Sequence, residues 1–159
     1  MTKDKIIIIG GGILTIVIIL GISVLLSNNP SKSSGIPDDK IVVKNGLHWH
    51  PRLAVYISGK KQEFQNNNGL GAIHQKMHTH DEDYKDGVDH MQMQGEVTKD
   101  ETRLGKFFEI WGKTFNSGQI FEFKNSSDSA VKMLVNGKTN KDFENYQMND
   151  GDKIEIRYE

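Results

Sequence analysis

Cysteine is absent from this sequence of 159 residues, and charge of neither sign is in clear excess. Without cysteine, the chain can form no disulfide, thiolate zinc finger, iron–sulfur cluster or cysteine nucleophile. The 20 Lys and Arg residues are balanced by 21 Asp and Glu residues, for a net charge of -1. Because no basic surplus is available to hold a phosphate backbone, we exclude nucleic acid as a partner. Any metal ligands must be His, carboxylate or Met side chains.

A long uncharged stretch occupies residues 6–26. Of its 21 residues, 15 are Ile, Leu or Val, and about 20 apolar residues span the hydrocarbon core of a bilayer as a helix. Lys3 and Lys5 precede the stretch, and positive charge favours the cytoplasmic side. The sequence therefore predicts a single-pass signal anchor in the cell membrane, with residues 1–5 in the cytoplasm and the C-terminal domain extracytoplasmic.

A cleaved signal peptide is the alternative to this anchor. The apolar region of a signal peptide is usually about 7–15 residues long and ends in a small-residue cleavage site. Here the stretch is longer and no Ala-x-Ala pattern follows Leu26, so we favour an uncleaved anchor. Residues 27–40 are mainly Ser, Asn, Pro, Gly and charged residues, which indicates a flexible tether. The folded extracytoplasmic domain is then expected at residues 41–159.

The start of this domain has the pattern of a β-hairpin. Leu53, Val55 and Ile57 alternate with more polar or smaller residues, which is the period of a strand. A turn at residues 58–60 leads to a second short strand at residues 62–64. The hairpin is the first element of the predicted α+β fold.

One helix and three further strands complete that fold. From Thr102 to about Gly112, apolar residues recur at the i, i+3, i+4 and i+7 spacing of a helix. Three later segments have strand patterns and are separated by turn sequences: residues 120–123, 131–135 and 154–158. A hairpin, a helix and then strands resemble the β-grasp architecture of ubiquitin-like domains. We therefore expect a small mixed β-sheet with one crossing helix and a His-rich insertion at residues 65–100.

All six histidines lie within 43 residues of the chain. His-rich tracts are associated with metal binding. His48 and His50 form one His-x-His pair, and His78 and His80 form another. Because residues i and i+2 of an extended chain project to the same face, each pair can present two imidazoles to one ion. Residues 74–90 are so rich in His and Asp that we expect an unpacked loop there.

These residues predict one transition-metal site, with Cu or Zn as the preferred ion. The expected ligands are the two His-x-His pairs, with His90 or Asp81 completing or supporting the shell and His74 as a further candidate. Neighbouring carboxylates are expected to hold the second nitrogen of each ring: Asp81, Glu82, Asp83, Asp86 and Asp89. Met77, Met91 and Met93 either contribute thioethers to a copper ion or fill gaps in the core.

Several segments together resemble a group of extracytoplasmic archaeal and bacterial proteins, often with an N-terminal span, whose function is not established. The segments are HWHPRLAVYISGK, MHTHD, DHMQ, TRLGKFFEIWG and VNGK. The resemblance implies that the recurring residues of that group correspond here to His48, His50, His78, His80, Asp81 and His90. The chain departs from the group at Arg52, often a His, and at Met91 and Gln92, which replace Ile and Glu.

Alternatives to a metal carrier stay open at this point. The His and Asp residues would equally suit a solvated, pH-responsive surface, and residues 81–89 only partly match a calcium loop. A three-His site with an open position, and Glu82 or Glu96 as a base, would suit an enzyme. The common hydrolase, metalloprotease and nucleotide motifs are absent. We therefore name no catalytic residue and favour a non-enzyme. A non-catalytic envelope interaction module is the remaining alternative.

Overall fold

The computed structural model describes residues 35–159 together with Ile19 and Ile22. The chain divides into two compact units, Met1–Ile36 and Pro37–Glu159. Within the described residues, no helix combines the length and the apolar character that crossing a bilayer requires. The predicted span lies outside the described residues except at Ile19 and Ile22, as do the predicted cytoplasmic N-terminus and the first part of the tether.

The unit Pro37–Glu159 is a mixed α+β fold made mostly of sheet, as the sequence predicts. Its strands are β1 (Ile41–Val43), β2 (Leu47–Trp49), β3 (Arg52–Ile57), β4 (Lys60–Gln62), β5 (Met77–His78), β6 (His90–Met93), β7 (Val97–Thr98), β8 (Phe115–Asn116), β9 (Gln119–Ile120), β10 (Phe123–Lys124), β11 (Val131–Val135), β12 (Lys138–Thr139) and β13 (Lys153–Tyr158). Its α-helices are α1 (Lys99–Thr102) and α2 (Leu104–Trp111). Short 3-10 helices occupy Asp38–Lys40, Tyr84–Asp86 and Phe143–Asn145.

A five-stranded sheet has the order β12-β11-β13-β3-β4. Its central pair, β13 and β3, is parallel, and the other neighbours are antiparallel. The predicted hairpin and the predicted strand at the end of the chain are confirmed. The second hairpin strand ends at Gln62 rather than continuing to Phe64, whose ring is buried against Phe107 and Trp111 instead of following the strand.

The predicted helix is present but begins earlier and is interrupted. Thr98 caps α1, because its backbone N–H and its hydroxyl both donate to the Glu101 carboxylate, at 2.8 and 2.9 Å. Arg103 has an extended backbone between α1 and α2. The second helix then ends at Gly112, which has the left-handed conformation typical of a helix terminus. Its apolar stripe belongs to the core, as predicted.

The prediction of an unpacked loop at residues 74–90 is wrong. This segment contributes β5 and the first residue of β6, which form an antiparallel three-stranded sheet with β2 in the order β2-β6-β5. The segment pairs into a sheet because Met alternates with His along it, in spite of its His and Asp content. Met77 and Met91 are fully buried, and burying one face of a short strand is enough to hold it in a sheet.

The strand predicted at residues 120–123 is also corrected. The chain forms two separate strands here, β9 and β10, which pair with each other and belong to the small sheet β10-β9-β8. Phe121 lies between them with a φ of 53°, a left-handed conformation that a continuous strand cannot contain. The strands predicted at residues 131–135 and 154–158 correspond to β11 and β13.

Gly87 closes the turn that precedes β6, and its replacement by Ala is expected to destabilise the fold. A Cβ at Gly87 would collide with the Leu53 carbonyl oxygen and approach a Phe64 ring carbon to 3.2 Å, at a φ of +78°. Gly59 is the matched control, since its φ is +77° but no atom lies within 4 Å of its Cβ position. We expect Gly59→Ala to lower the free energy of unfolding by about 1–2 kcal/mol and Gly87→Ala by clearly more, measured by urea denaturation. Equal losses of stability in the two variants would contradict the predicted collision at Gly87.

Candidate metal centre

Strand alternation sorts the three-stranded sheet β2-β6-β5 into a Met face and a His face. In its register, Leu47 lies opposite Met93, and Met91 lies opposite both Trp49 and Met77. Residues that lie directly opposite in neighbouring strands share a face. The Met face therefore belongs to the hydrophobic core, and the intervening positions project from the other side of the sheet.

That other side carries the histidines. His78 lies directly opposite His90, and His48 lies opposite Gln92. His50 follows the end of β2, and continuing the register by one residue places it opposite His90, whose ring centroid is 4.8 Å away. The extended conformation assumed for the first His-x-His pair is thus present at His48. The fold brings both pairs to one surface because β6 lies between β2 and β5.

The six imidazole rings form one continuous chain in space, in the order His48, His50, His90, His80, His78, His74. The five successive separations between ring centroids are 4.6, 4.8, 4.5, 4.8 and 4.3 Å. His90 joins the two His-x-His pairs, and its ring also stacks at 5.8 Å on that of His78. All the histidines that the sequence singles out therefore lie in one cluster.

Within this chain, His48, His50 and His90 form a compact three-imidazole group. One ligand nitrogen from each ring lies within 4.8 Å of the other two. Nitrogens bound to one tetrahedral ion at about 2.0–2.1 Å lie about 3.3–3.4 Å apart. Side-chain movements that bring the nitrogens closer by up to about 1.5 Å would therefore allow the three rings to ligate one ion. His48 is exposed and the other two are half-buried, so solvent reaches the group from the His48 side.

Asp83 orients the ring of His90. The His90 Nε2 lies 2.8 Å from Asp83 Oδ2, and because a carboxylate only accepts, Nε2 is the protonated nitrogen. When the ring is neutral, its Nδ1 carries the lone pair that a metal can take. Such carboxylate–histidine pairs fix the tautomer and raise the basicity of metal-binding imidazoles. Asp83 is one of the five carboxylates that the sequence predicts for this role.

Asp150 supports His50 from the far end of the sequence. The His50 backbone N–H donates to Asp150 Oδ1 at 2.8 Å, and the His50 Nδ1 lies 3.8 Å from the same oxygen. Burial is the main cause that lowers the pKa of His50, and the neighbouring His90 and His48 lower it further, while Asp150 acts in the opposite direction. The sequence predicts only a turn at Asp150, since no spacing rule relates residues that are 100 positions apart.

His78 is the most buried histidine of the cluster, with 1% of its surface exposed. Burial lowers its pKa to about 4, and the adjacent His74, His80 and His90 contribute in the same direction, although the hydrogen bond to Gln75 opposes them. The ring is therefore neutral at neutral pH. The exposed His74 lies at the end of the chain of rings, with its Nε2 3.3 Å from the His78 Nε2.

Two other groups of predicted ligands lie outside the three-His group. Asp81 is exposed, and within residues 35–159 its carboxylate does not belong to a three-ligand group with the imidazoles. Met77, Met91 and Met93 lie on the opposite face of the sheet, with at most 5% of their surfaces exposed. Of their two predicted roles, the structure bears out core filling. For a Met sulfur to reach the histidines, its strand would have to rotate so that the Met side chain projects from the opposite face of the sheet.

Asp89 is a buried carboxyl group beside the cluster, and its replacement by Asn is expected to stabilise the protein. Only 2% of the residue is exposed, and within the described residues its carboxylate oxygens have no close hydrogen-bond partner, although the His78 backbone N–H interacts with the carboxylate and opposes the rise in its pKa. Burial raises its pKa well above the usual range. At neutral pH the folded protein therefore either holds a buried charge or takes up a proton that the unfolded chain does not bind. Both lower the free energy of unfolding. We expect Asp89→Asn, which removes the titratable group, to raise the free energy of unfolding at pH 7 by more than about 1 kcal/mol, measured by urea denaturation, and the exposed Asp86→Asn to leave it unchanged. A loss of stability in Asp89→Asn would mean that the carboxylate has a partner.

Comparison with known proteins adds no further identification. No family model, curated protein or solved structure matches this chain.

Proposed function

We propose that this chain is a membrane-anchored, extracytoplasmic protein that binds a transition-metal ion through His48, His50 and His90. The observation that carries the proposal is that the ligand nitrogens of these three rings lie within 4.8 Å of one another. The Asp83 carboxylate at the His90 Nε2 is a second support, because it prepares that ring as a ligand. His80 and His78 lie next to His90 and extend the donor set.

The chemistry of the donor set favours Zn(II) or Cu(II). Imidazole nitrogen suits both ions, whereas the core position of the Met side chains removes the thioethers that would favour Cu(I). Three imidazoles leave a fourth position open to water or to an incoming ligand. Because His48 is exposed, the bound ion is accessible for exchange. These features suit delivery or storage better than a closed structural site.

The location is proposed from the sequence. The uncharged residues 6–26 and the preceding lysines support a single-pass anchor with a cytoplasmic N-terminus. Residues 27–40 would then tether the metal-binding domain outside the cell membrane. A transition-metal site on that side would be accessible to metal ions that enter or leave the cell envelope.

We also propose that the domain is β-grasp-like. The sheet order β12-β11-β13-β3-β4 with a parallel central pair supports this, since it has the first and last strands of the sheet side by side at its centre. The helices α1 and α2 lie in sequence between the β3-β4 hairpin and β11. The fold itself implies no activity.

The test is metal binding by the full chain, purified in detergent. After incubation with Zn(II) and dialysis, we expect elemental analysis to find bound zinc in the wild type. Replacing both His48 and His50 by Ala should remove the ion held by the three-His group. Gln92→Ala is the matched control, because Gln92 is exposed, lies opposite His48 and has no imidazole. Equal zinc contents in the double variant and the control would contradict the assignment.

A metal-dependent enzyme is the second candidate, favoured by the open fourth position of a three-His group. Catalysis requires an exchangeable ligand on the metal. Anions added to a Co(II)-substituted sample should then change its visible spectrum. A spectrum that is insensitive to anions would exclude the open site and with it the enzyme.

A further inference from the structure

We propose that His74 and His78 hold a second metal ion, so that the cluster binds two ions for each chain. This inference extends the proposed metal-binding function and rests on it. The second position lies at the opposite end of the chain of rings from His48. His90 and His80 stand between the two positions, with their ring centroids 4.5 Å apart.

The spacing of the two nitrogens matches joint ligation. The Nε2 atoms of His74 and His78 lie 3.3 Å apart. Two nitrogens bound to one tetrahedral ion at about 2.0–2.1 Å would lie about 3.3–3.4 Å from each other. In the absence of metal this separation is that of an N–H···N hydrogen bond between the two rings, which a bound ion would replace at nearly the same distance. The two rings are perpendicular, with centroids 4.3 Å apart.

The hydrogen bond of His78 leaves the correct nitrogen unprotonated. Its Nδ1 lies 3.1 Å from the Gln75 carbonyl oxygen. A carbonyl oxygen only accepts, so Nδ1 carries the proton, and Nε2 of the neutral ring keeps a lone pair that accepts a hydrogen bond from His74 Nε2 in the absence of metal. This lone pair faces the His74 Nε2. A backbone carbonyl on the second nitrogen is the usual support of a metal-binding imidazole.

The loop that carries His74 is fixed against the His sheet. The Gln75 backbone N–H donates to the Gly69 carbonyl at 2.8 Å, and Leu70 and His74 form an antiparallel bridge. Gly69 has a φ of +77°, and any side chain there would collide with the Met77 carbonyl oxygen. His74 is therefore held beside β5 by the loop backbone. The next imidazole is His80, whose ring centroid is 4.8 Å from that of His78, but within the described residues it does not form a three-ligand group with this pair, so water completes the ligand shell.

The experiment compares zinc stoichiometry in the full chain and in three variants. Each protein, purified in detergent, is dialysed against the same free Zn(II) concentration and analysed for zinc and protein. The variants are His74→Ala, the double replacement His48→Ala with His50→Ala, and the control Gln75→Ala, whose contact with His78 is made by the backbone and is retained. His74 is exposed, so its replacement should not disturb folding, which circular dichroism checks.

We expect two zinc ions in the wild type and in Gln75→Ala, and one in each of the other two variants. One ion in the wild type that is retained in His74→Ala would overturn the second site and leave the proposed function standing. One ion that is lost in His74→Ala but retained in the double variant would support the position at His74 and His78 and overturn the three-His assignment. No bound zinc in the wild type would overturn both.

Discussion

Replacing His90 by Ala should weaken zinc binding at the three-His group by more than about 100-fold. Loss of an outer partner of a metal ligand typically lowers affinity about 10–100-fold, and loss of a ligand should exceed that. His90 is also the ring that joins the two His-x-His pairs. Its removal therefore takes away one of three ligands and interrupts the cluster. Competition with a chromophoric chelator would measure the dissociation constant.

Two further variants show whether the loss at His90 arises from ligation. Asp83→Asn should weaken binding by only about 10–100-fold, since the ring remains but loses the carboxylate that holds its Nε2 proton. Gln92→Ala, two residues along β6 on the same face, should leave affinity unchanged. If His90→Ala bound zinc as tightly as Gln92→Ala, the three-His group would not be the metal site.

The metal-free protein should lose stability between about pH 6.5 and pH 4 because of His78. Burial lowers the folded-state pKa of this residue from 6.5 to about 4. In this interval the unfolded chain binds a proton that the folded chain does not, so acidification favours unfolding. The stability is fully present above pH 6.5, and no more is lost from this group below pH 4. A pKa difference of this size corresponds to a loss on the order of 3 kcal/mol in the free energy of unfolding.

Urea denaturation in the presence of a chelator measures this loss across the pH range. His78→Asn is the suitable comparison, because an Asn amide can still donate to the Gln75 carbonyl but does not titrate. Asp89, whose raised pKa acts in the opposite direction, is present in both proteins. The difference in the free energy of unfolding between the wild type and His78→Asn should therefore isolate the contribution of His78. Parallel stability curves for the two proteins between pH 6.5 and 4 would show that His78 is not protected from protons when folded.

Proton and metal would compete for the same nitrogens in a metal-binding cluster of histidines. Imidazoles bind metal only in their neutral form, so metal affinity falls as the pH falls. The low pKa of His78 keeps that ring competent in mildly acidic solution.

The local pattern of apolar residues in the sequence was enough to predict the central elements of the fold. Alternation at Leu53, Val55 and Ile57 places three side chains on one face of β3, and all three are buried. The helical spacing of Leu104, Phe107 and Phe108 likewise defines the stripe of α2 that lies in the core. These predictions hold because period 2 and period 3.6 are properties of the backbone itself. Boundaries were less accurate where a single backbone angle decided them, as at Phe121.

The sequence by itself determined that the candidate metal ligands would be histidines, in two His-x-His pairs within a short tract. Only the tertiary structure decided which of them meet. Pairing of β6 with both β2 and β5 brings His90 between the two pairs, and the same register directs the Met residues into the core. Register and strand order depend on contacts between distant segments, as does the approach of Asp150 to His50 across 100 residues. No local spacing encodes such contacts, because they arise when the whole sheet buries its apolar face.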